Sequence, residues 1–185
     1  MEDWPLWAQD RIEFLSEALG GDQGRTILTI CPHCRDTIQT QYQAFGGSFT
    51  DVRLHTPYLG SLVDEGDLEI EARPMEAAMH VPCKVFHNDE HRQMRGLLTD
   101  AGVQLQQPET STGAFPTTCC GGGGGGFLRD SPAKVNQKRW EQIQATGKKE
   151  VVTGCPGCHR MLGVVRDEET RISDVATVLA ERLKG

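Results

Sequence analysis

The chain has 185 residues, a formal net charge of -7 and 24% charged residues, an ordinary acidic balance that offers no electrostatic footing for nucleic acid. This length suits one domain or two small interlocked halves, and roughly 70% of the unfolded surface can be buried, so stability needs no disulfides. The opening MEDWPLWAQDRIEFLSEALGG is acidic and lacks a basic, apolar leader, and no apolar run reaches the ~18 residues that cross a bilayer. With no leader, the seven cysteines predict a reducing, cytoplasmic setting in which cysteine pairs act as ligands or catalysts.

Trp7, Ile12, Leu15, Ala18 and Leu19 recur at helical spacing, and Gly20-Gly21 ends the run. RTILTI (25–30) reads as a short buried strand entering Cys31-Pro32-His33-Cys34, and a polar helical segment follows from Arg35 to about Phe45. FTDVRLH (49–55) predicts a second strand. Thr56 then caps a helix with Pro57 at its first position and Tyr58, Leu59, Leu62 and Val63 inward, ending at Gly66. AAMHV (77–81) predicts a strand ending at Pro82-Cys83; the next helix buries Met94, Leu97, Leu98 and Ala101 and stops at Gly102. A strand at 103–107 and the loop QPETSTGAFPTT lead to Cys119-Cys120 and six glycines. Ser131-Pro132 opens a helix that buries Val135, Trp140 and Ile143 and ends near Gly147. KKEVVTG is a strand entering Cys155-Pro156-Gly157-Cys158, and Ser173 caps a last helix with Val175, Val178, Leu179 and Leu183 on one face.

Alternating strands and helices predict an α/β fold of mostly parallel sheets flanked by helices. TILTICPHC lies over EVVTGCPGC and LHTPYLGSLV over RISDVATVLAERL, so two halves are copies of one unit and the first is incomplete. The expected division is 1–70 for the partial repeat and 71–185 for the complete one.

In the second repeat Cys83, Cys119, Cys120, Cys155 and Cys158 each follow a predicted strand, and the ends of neighbouring parallel strands converge on one edge of a sheet. Five thiolates meeting there repel one another unless cations neutralise them, which iron does in iron–sulfur centres. A glycine run orders at high entropic cost, but it lets backbone N–H groups approach sulfur closely. Zinc held by Cys31, Cys34, Cys155 and Cys158 is an alternative, although zinc ribbons space their pairs by roughly 15–20 residues and the CCG run stays unexplained. A strand–CPHC–helix unit also suits a thiol–disulfide oxidoreductase, which accounts neither for the repeat nor for the vicinal pair.

Cys83, Cys119-Cys120-Gly121 and Cys155-x-x-Cys158 resemble the cysteine-rich CCG domain of heterodisulfide reductase and related iron–sulfur oxidoreductases, and TICPHCRDTIQTQYQAFGG resembles the rear of a first repeat. The resemblance implies a 4Fe-4S cluster, cubane or of the non-cubane kind found in heterodisulfide reductase. Its implied ligands are Cys83, Cys119, Cys120, Cys155 and Cys158, with Gly121 and Gly122 wrapped around it. The family's H-D-P-C is here His80-Val81-Pro82-Cys83, and Lys84-Val85-Phe86-His87 replaces its usual small, basic continuation. Cys31 and Cys34 alone hold no cluster; they are vestigial, completed by another chain, or half of a zinc site. No ferredoxin-type C-x2-C-x2-C-x3-C run is present, so the expected partner is an electron-donating iron–sulfur or flavin subunit of a multi-subunit complex, through which any membrane association comes. The implied function is an iron–sulfur subunit of a heterodisulfide-reductase-like oxidoreductase that carries electrons to, or reduces, a (di)sulfide or related substrate. An iron-free thiol–disulfide oxidoreductase using CPHC and a non-catalytic, zinc-binding assembly subunit stand as alternatives.

His80 and His87, which flank Cys83 together with His91, are candidate catalytic proton donors to a leaving thiolate, against a structural role for each. His33 and His159 sit at the CPxC motifs, where they either donate to sulfur or face water. Lys134, Lys138, Arg139, Lys148 and Lys149 form a basic stretch that either docks an acidic donor or is a solvated helix face.

Overall fold

The computed structural model describes residues 4–20, 25–87, 90–109, 118–123 and 134–184, apart from the His87 side chain. The chain divides into two compact units, Met1–His55 and Thr56–Gly185.

In the first unit α1 (Trp4–Leu19) lays Ala8, Ile12, Leu15 and Leu19 against Tyr42, Phe45, Phe49 and Val52. Strand β1 (Ile27–Thr29) pairs in parallel with β2 (Val52–Leu54) in the register Ile27↔Val52, Leu28↔Arg53 and Thr29↔Leu54. Cys31 is extended and Pro32 opens α2 (Pro32–Asp36), a position that costs no hydrogen bond because the first helical N–H groups have no partner within the helix. The segment expected to continue as one polar helix changes pitch twice, through a π-helical turn (Thr37–Gln41) and a 3-10 turn (Tyr42–Phe45). Thr40 donates its hydroxyl to the Asp36 carbonyl where the pitch widens, a side-chain bond that competes with the helical ladder.

Helix α3 (His55–Asp64) continues directly from β2 at the boundary between the units. Thr56 therefore lies within the helix rather than capping it. Both His55 and Thr56 are buried, whereas Tyr58, Leu59, Leu62 and Val63 are half-buried.

The second unit is built on one four-stranded sheet in the order β4-β3-β5-β6. Its strands are β3 (Met75–His80), β4 (Val103–Gln106), β5 (Glu150–Thr153) and β6 (Arg171–Asp174). All three pairings are parallel, with Ala78↔Val151 and His80↔Thr153 joining the central strands. The helices are α4 (Cys83–His87), α5 (His91–Asp100), α6 (Val135–Gln144), α7 (Pro156–Gly163) and α8 (Val175–Ala180). On one face Ala78, Val151 and Ile172 pack against Trp140 and Ile143 of α6 and Leu162 of α7. On the other, a Cβ built at Gly154 would meet Met94 Sδ of α5 at 3.6 Å and Val175 Cγ2 of α8 at 3.7 Å. Both faces are covered, as a parallel sheet requires. Because α5 follows β3 on one face and α7 follows β5 on the other, the chain reverses its winding between the central strands. Their carboxyl ends are therefore the switch point, where sheets of this kind bind ligands.

The sheet corrects several expectations. Val135 is 41% exposed; the buried face of α6 is Asn136, Arg139, Trp140 and Ile143, one residue further round than the apolar residues alone suggest. Ser131-Pro132 lies outside the described residues. Ser173 belongs to β6, and Asp174 is the cap of α8, its carboxylate accepting the Ala176 N–H at 2.8 Å. Leu183 lies beyond α8, is 44% exposed and bridges Ile70 in antiparallel fashion. The basic stretch is dispersed: Arg139 is buried, Lys148 pairs with Glu76, and Lys149 pairs with Glu169 at 2.6 Å.

Candidate metal centre

The thiols of the second unit meet beyond the carboxyl ends of β3 and β5. Strand β3 delivers Cys83 to the first position of α4. Strand β5 delivers Cys155, in extended conformation, to the start of α7, with Pro156 opening the helix and Cys158 in its first turn. The segment after β4 brings Cys119 and Cys120. The reduced thiols hydrogen-bond in an unbroken series: Cys83 with Cys119, Cys119 with Cys120, Cys120 with Cys158, and Cys158 with Cys155. Cys120, Cys155 and Cys158 are buried, Cys83 and Cys119 half-buried. The series therefore runs from the core to a partly open mouth.

The glycine turn is fitted to sulfur. Gly121 adopts φ +83°, a conformation that costs any residue with a Cβ roughly 1–2 kcal/mol. In that geometry its N–H donates to Cys119 Sγ at 3.3 Å, and the Gly122 N–H donates to Cys120 Sγ at 3.4 Å. A Cβ on Gly122 would lie 2.9 Å from Met161 Cγ and 3.5 Å from Cys120 Sγ. The rest of the run, Gly124–Gly126, lies outside the described residues.

Electrostatics among the thiols are lopsided. Hydrogen bonds from the thiols of Cys120 and Cys83, and then from the Gly121 and Gly123 amides, hold the Cys119 thiol far below its ordinary value. The same bond to Cys119 pushes Cys120 up to about 11 and, with burial, raises Cys83 as well. The bonds to Cys120 and Cys155, with burial, raise Cys158. Cys119 is thus the favoured thiolate, clothed by donors, and the thiols of Cys83, Cys120 and Cys158 are held toward the protonated form. Ionising all five requires cations of matching charge, and soft thiolates select iron in sulfide clusters or zinc. The donor set and the glycine cradle fit a sulfur-ligated metal cluster.

His80 is 1% exposed at the end of β3, and its Nδ1 accepts the Nε–H of Arg139 at 3.1 Å. Burial first, then the Arg139 charge, depress it to about 3, so the ring is neutral at ordinary pH. His87 ends α4, and its side chain is outside the described residues. His91 packs its ring on Phe86, with centroids 4.9 Å apart. His159 shares its Nε2 with the Ile172 carbonyl at 3.0 Å. Cys31 and Cys34 belong to the first unit, one half-buried and one exposed, and His33 between them is half-buried.

Thr153 is not among the candidate site residues and Arg139 is read from sequence only as part of a basic stretch, yet both border this region. Thr153 is fully buried and in register with His80. The signal for Arg139 was present in the helical recurrence of 136, 139, 140 and 143, once polar residues are allowed on a buried face.

Residues 77–163 match the model of the CCG family, described as a cysteine-rich domain, and that span holds all five thiols. A protein of Chromohalobacter salexigens named "Probable membrane-anchored ferredoxin" is 30% identical over 170 residues, covering 85% of this chain and 25% of that protein. A Bacillus subtilis protein named "Probable iron-sulfur-binding oxidoreductase FadF" is 30% identical over 173 residues, covering 87% of this chain and 24% of that protein. The chain thus spans about a quarter of the length of these curated relatives. Among the described residues no helix is long and apolar enough to cross a membrane. Residues 77–163, which carry the strand-end thiols, are thus a cysteine-rich domain of the CCG family.

Proposed function

We propose that the second unit holds an iron–sulfur cluster of the 4Fe-4S type on Cys83, Cys119, Cys120, Cys155 and Cys158, and that the chain works as the iron–sulfur component of an oxidoreductase. The observation that carries this reading is the unbroken series of thiol contacts. When bound, such a cluster supplies one-electron transfer. The chain's own contribution is to exclude water from Cys120, Cys155 and Cys158, to direct the Gly121 and Gly122 amides at sulfur, and to leave Cys83 and Cys119 half-open. That partly open mouth favours a redox reaction on a disulfide or related sulfur substrate of the heterodisulfide-reductase kind. The printed names of the two relatives support the redox class alone. With no ferredoxin-type cysteine run in the chain, electrons arrive from an iron–sulfur or flavin partner, and residues 1–70 act as a partial first repeat.

The test is anaerobic production of the full chain with iron and sulfide analysis. The expected result is a brown protein with about four irons per chain. Cys158→Ser should lose most of the iron and colour, while Cys34→Ser keeps both. A colourless wild type whose Cys31 and Cys34 titrate as a redox couple would replace this reading with iron-free thiol–disulfide exchange. Zinc without iron would point to an assembly subunit.

A further inference from the structure

Among the described residues of the second unit two arginines are buried, and they are differently employed. Arg182 closes all its arms on carbonyls: Nε on Ala101 at 2.9 Å, Nη1 on Val178 at 2.8 Å and Nη2 on Arg73 at 3.3 Å. Arg139, 0% exposed on α6, donates Nε–H to His80 Nδ1 at 3.1 Å and Nη1–H to Gln142 Oε1 at 3.0 Å. Its Nη2 is buried without a partner, and no carboxylate pairs with it among the described residues. Burial lowers it only to about 10, so it stays a cation at neutral pH. A buried cation without an anion is among the costliest arrangements in a protein, and the acidic group whose charge acts on Arg139 is the Cys158 thiol.

His80 points the same way. A guanidinium has no lone pair and can only donate, so Nδ1 of the neutral ring must accept and the proton sits on Nε2. That Nε2–H is buried with no acceptor among the described residues, and the Thr153 hydroxyl beside it in register is equally unpartnered. A ring nitrogen of His80 and the Sγ atoms of Cys120 and Cys158 lie within 4.8 Å of one another.

We infer that Arg139 and His80 form a cation-and-donor wall behind the thiol site: Arg139 is the buried counter-charge of the anionic, sulfur-ligated centre and, by occupying Nδ1, leaves His80 a free Nε2–H for that centre's sulfur instead of a metal-binding lone pair. The inference rests on the iron–sulfur reading and deepens it. Adding an electron adds negative charge beside a fixed cation and an N–H donor, and both favour the reduced form. Arg139 and His80 are positioning residues that set the reduction potential.

The experiment uses the full chain, produced anaerobically, as wild type, Arg139→Met, Arg139→Lys, His80→Leu and His80→Gln. The potential is read by titration with dithionite under electron paramagnetic resonance, and the melting temperature of each iron-free form is read by circular dichroism. Arg139→Met should disfavour reduction about tenfold, a shift of about 59 mV for one electron, while its iron-free form melts no lower than wild type. Arg139→Lys should restore most of the potential, and His80→Gln should shift it less than His80→Leu. Full iron loading with an unchanged potential in Arg139→Met overturns the inference, as does an imidazole nitrogen strongly coupled to the reduced centre. If Arg139→Met does not accumulate, the two His80 variants carry the test, and equal shifts in both overturn it. A colourless wild type sinks the iron–sulfur reading itself, whereas a brown wild type with indifferent variants sinks only this one.

Discussion

Gly122→Ala probes how closely the glycine turn wraps the thiols. The new Cβ would sit 2.9 Å from Met161 Cγ and 3.5 Å from Cys120 Sγ. Carbon atoms pack best at about 3.5–4.0 Å, so the contact with Met161 is about 0.6 Å too short, while that with sulfur is ordinary. Either Met161 swings aside or the turn backs away, and backing away stretches the 3.4 Å bond from the Gly122 amide to Cys120. Overpacking of this kind costs about 1–3 kcal/mol. Met161 is half-buried and methionine adapts readily, which sets the expectation near the lower end, about 1–1.5 kcal/mol. The assay is a double-mutant cycle in urea on the reduced, iron-free protein, with Gly122→Ala introduced into wild type and into Met161→Ala. Truncating Met161 removes the obstructing atom, so most of the Gly122→Ala cost should vanish there, a coupling of about 1 kcal/mol. Equal costs in the two backgrounds, within about 0.3 kcal/mol, would refute the close fit of turn to helix.

Gly66 and Gly102 have nearly the same left-handed backbone, φ +81° and +84°. A Cβ at Gly66 meets nothing within 4 Å, and one at Gly102 lies 2.8 Å from both the amide nitrogen and the carbonyl oxygen of Arg73. Gly66→Ala should therefore cost about 1 kcal/mol and Gly102→Ala about 1–3 kcal/mol more, read by urea unfolding; matching costs would contradict the contact. Asp174→Ala removes the acceptor of the Ala176 N–H and should lower stability by about 1 kcal/mol, and a melting temperature equal to wild type would return the cap to another residue.

What the sequence made legible was local. The β5–CPGC–α7 unit was readable because a β-branched run, a proline at the first helical position and a following apolar stripe agree with one another. The repeat was readable because β1–CPHC–α2 repeats those signals: Arg35 N–H bonds the Cys31 carbonyl at 3.0 Å as His159 N–H bonds that of Cys155 at 2.9 Å. Strand β6 was missed because Arg171–Asp174 carries charge at both ends and owes its place to pairing with β5. The inner face of α6 was misread for a related reason. Asn136 and Arg139 look like solvent residues, and only partners distant in sequence, the Met161 carbonyl and the His80 ring, make their burial tolerable. Convergence of the five thiols followed from topology once the strands were placed. The chemistry behind them, an arginine dictating a histidine tautomer, depends on side-chain contacts between elements about sixty residues apart and leaves no local pattern.

The juxtaposition of β3 with β5 also bears on when the thiol site can be completed. These strands are neighbours in space, yet the whole of α5, β4 and α6 lies between them in the chain. A ferredoxin-type motif with ligands a few residues apart can gather its metal while the surrounding polypeptide is still loose. Here long loops must close before Cys83 meets Cys155, and such non-local pairings form late and slowly. A site that needs all five thiols is therefore complete only after β5 has paired with β3, and a nascent chain truncated before β5 lacks Cys155 and Cys158.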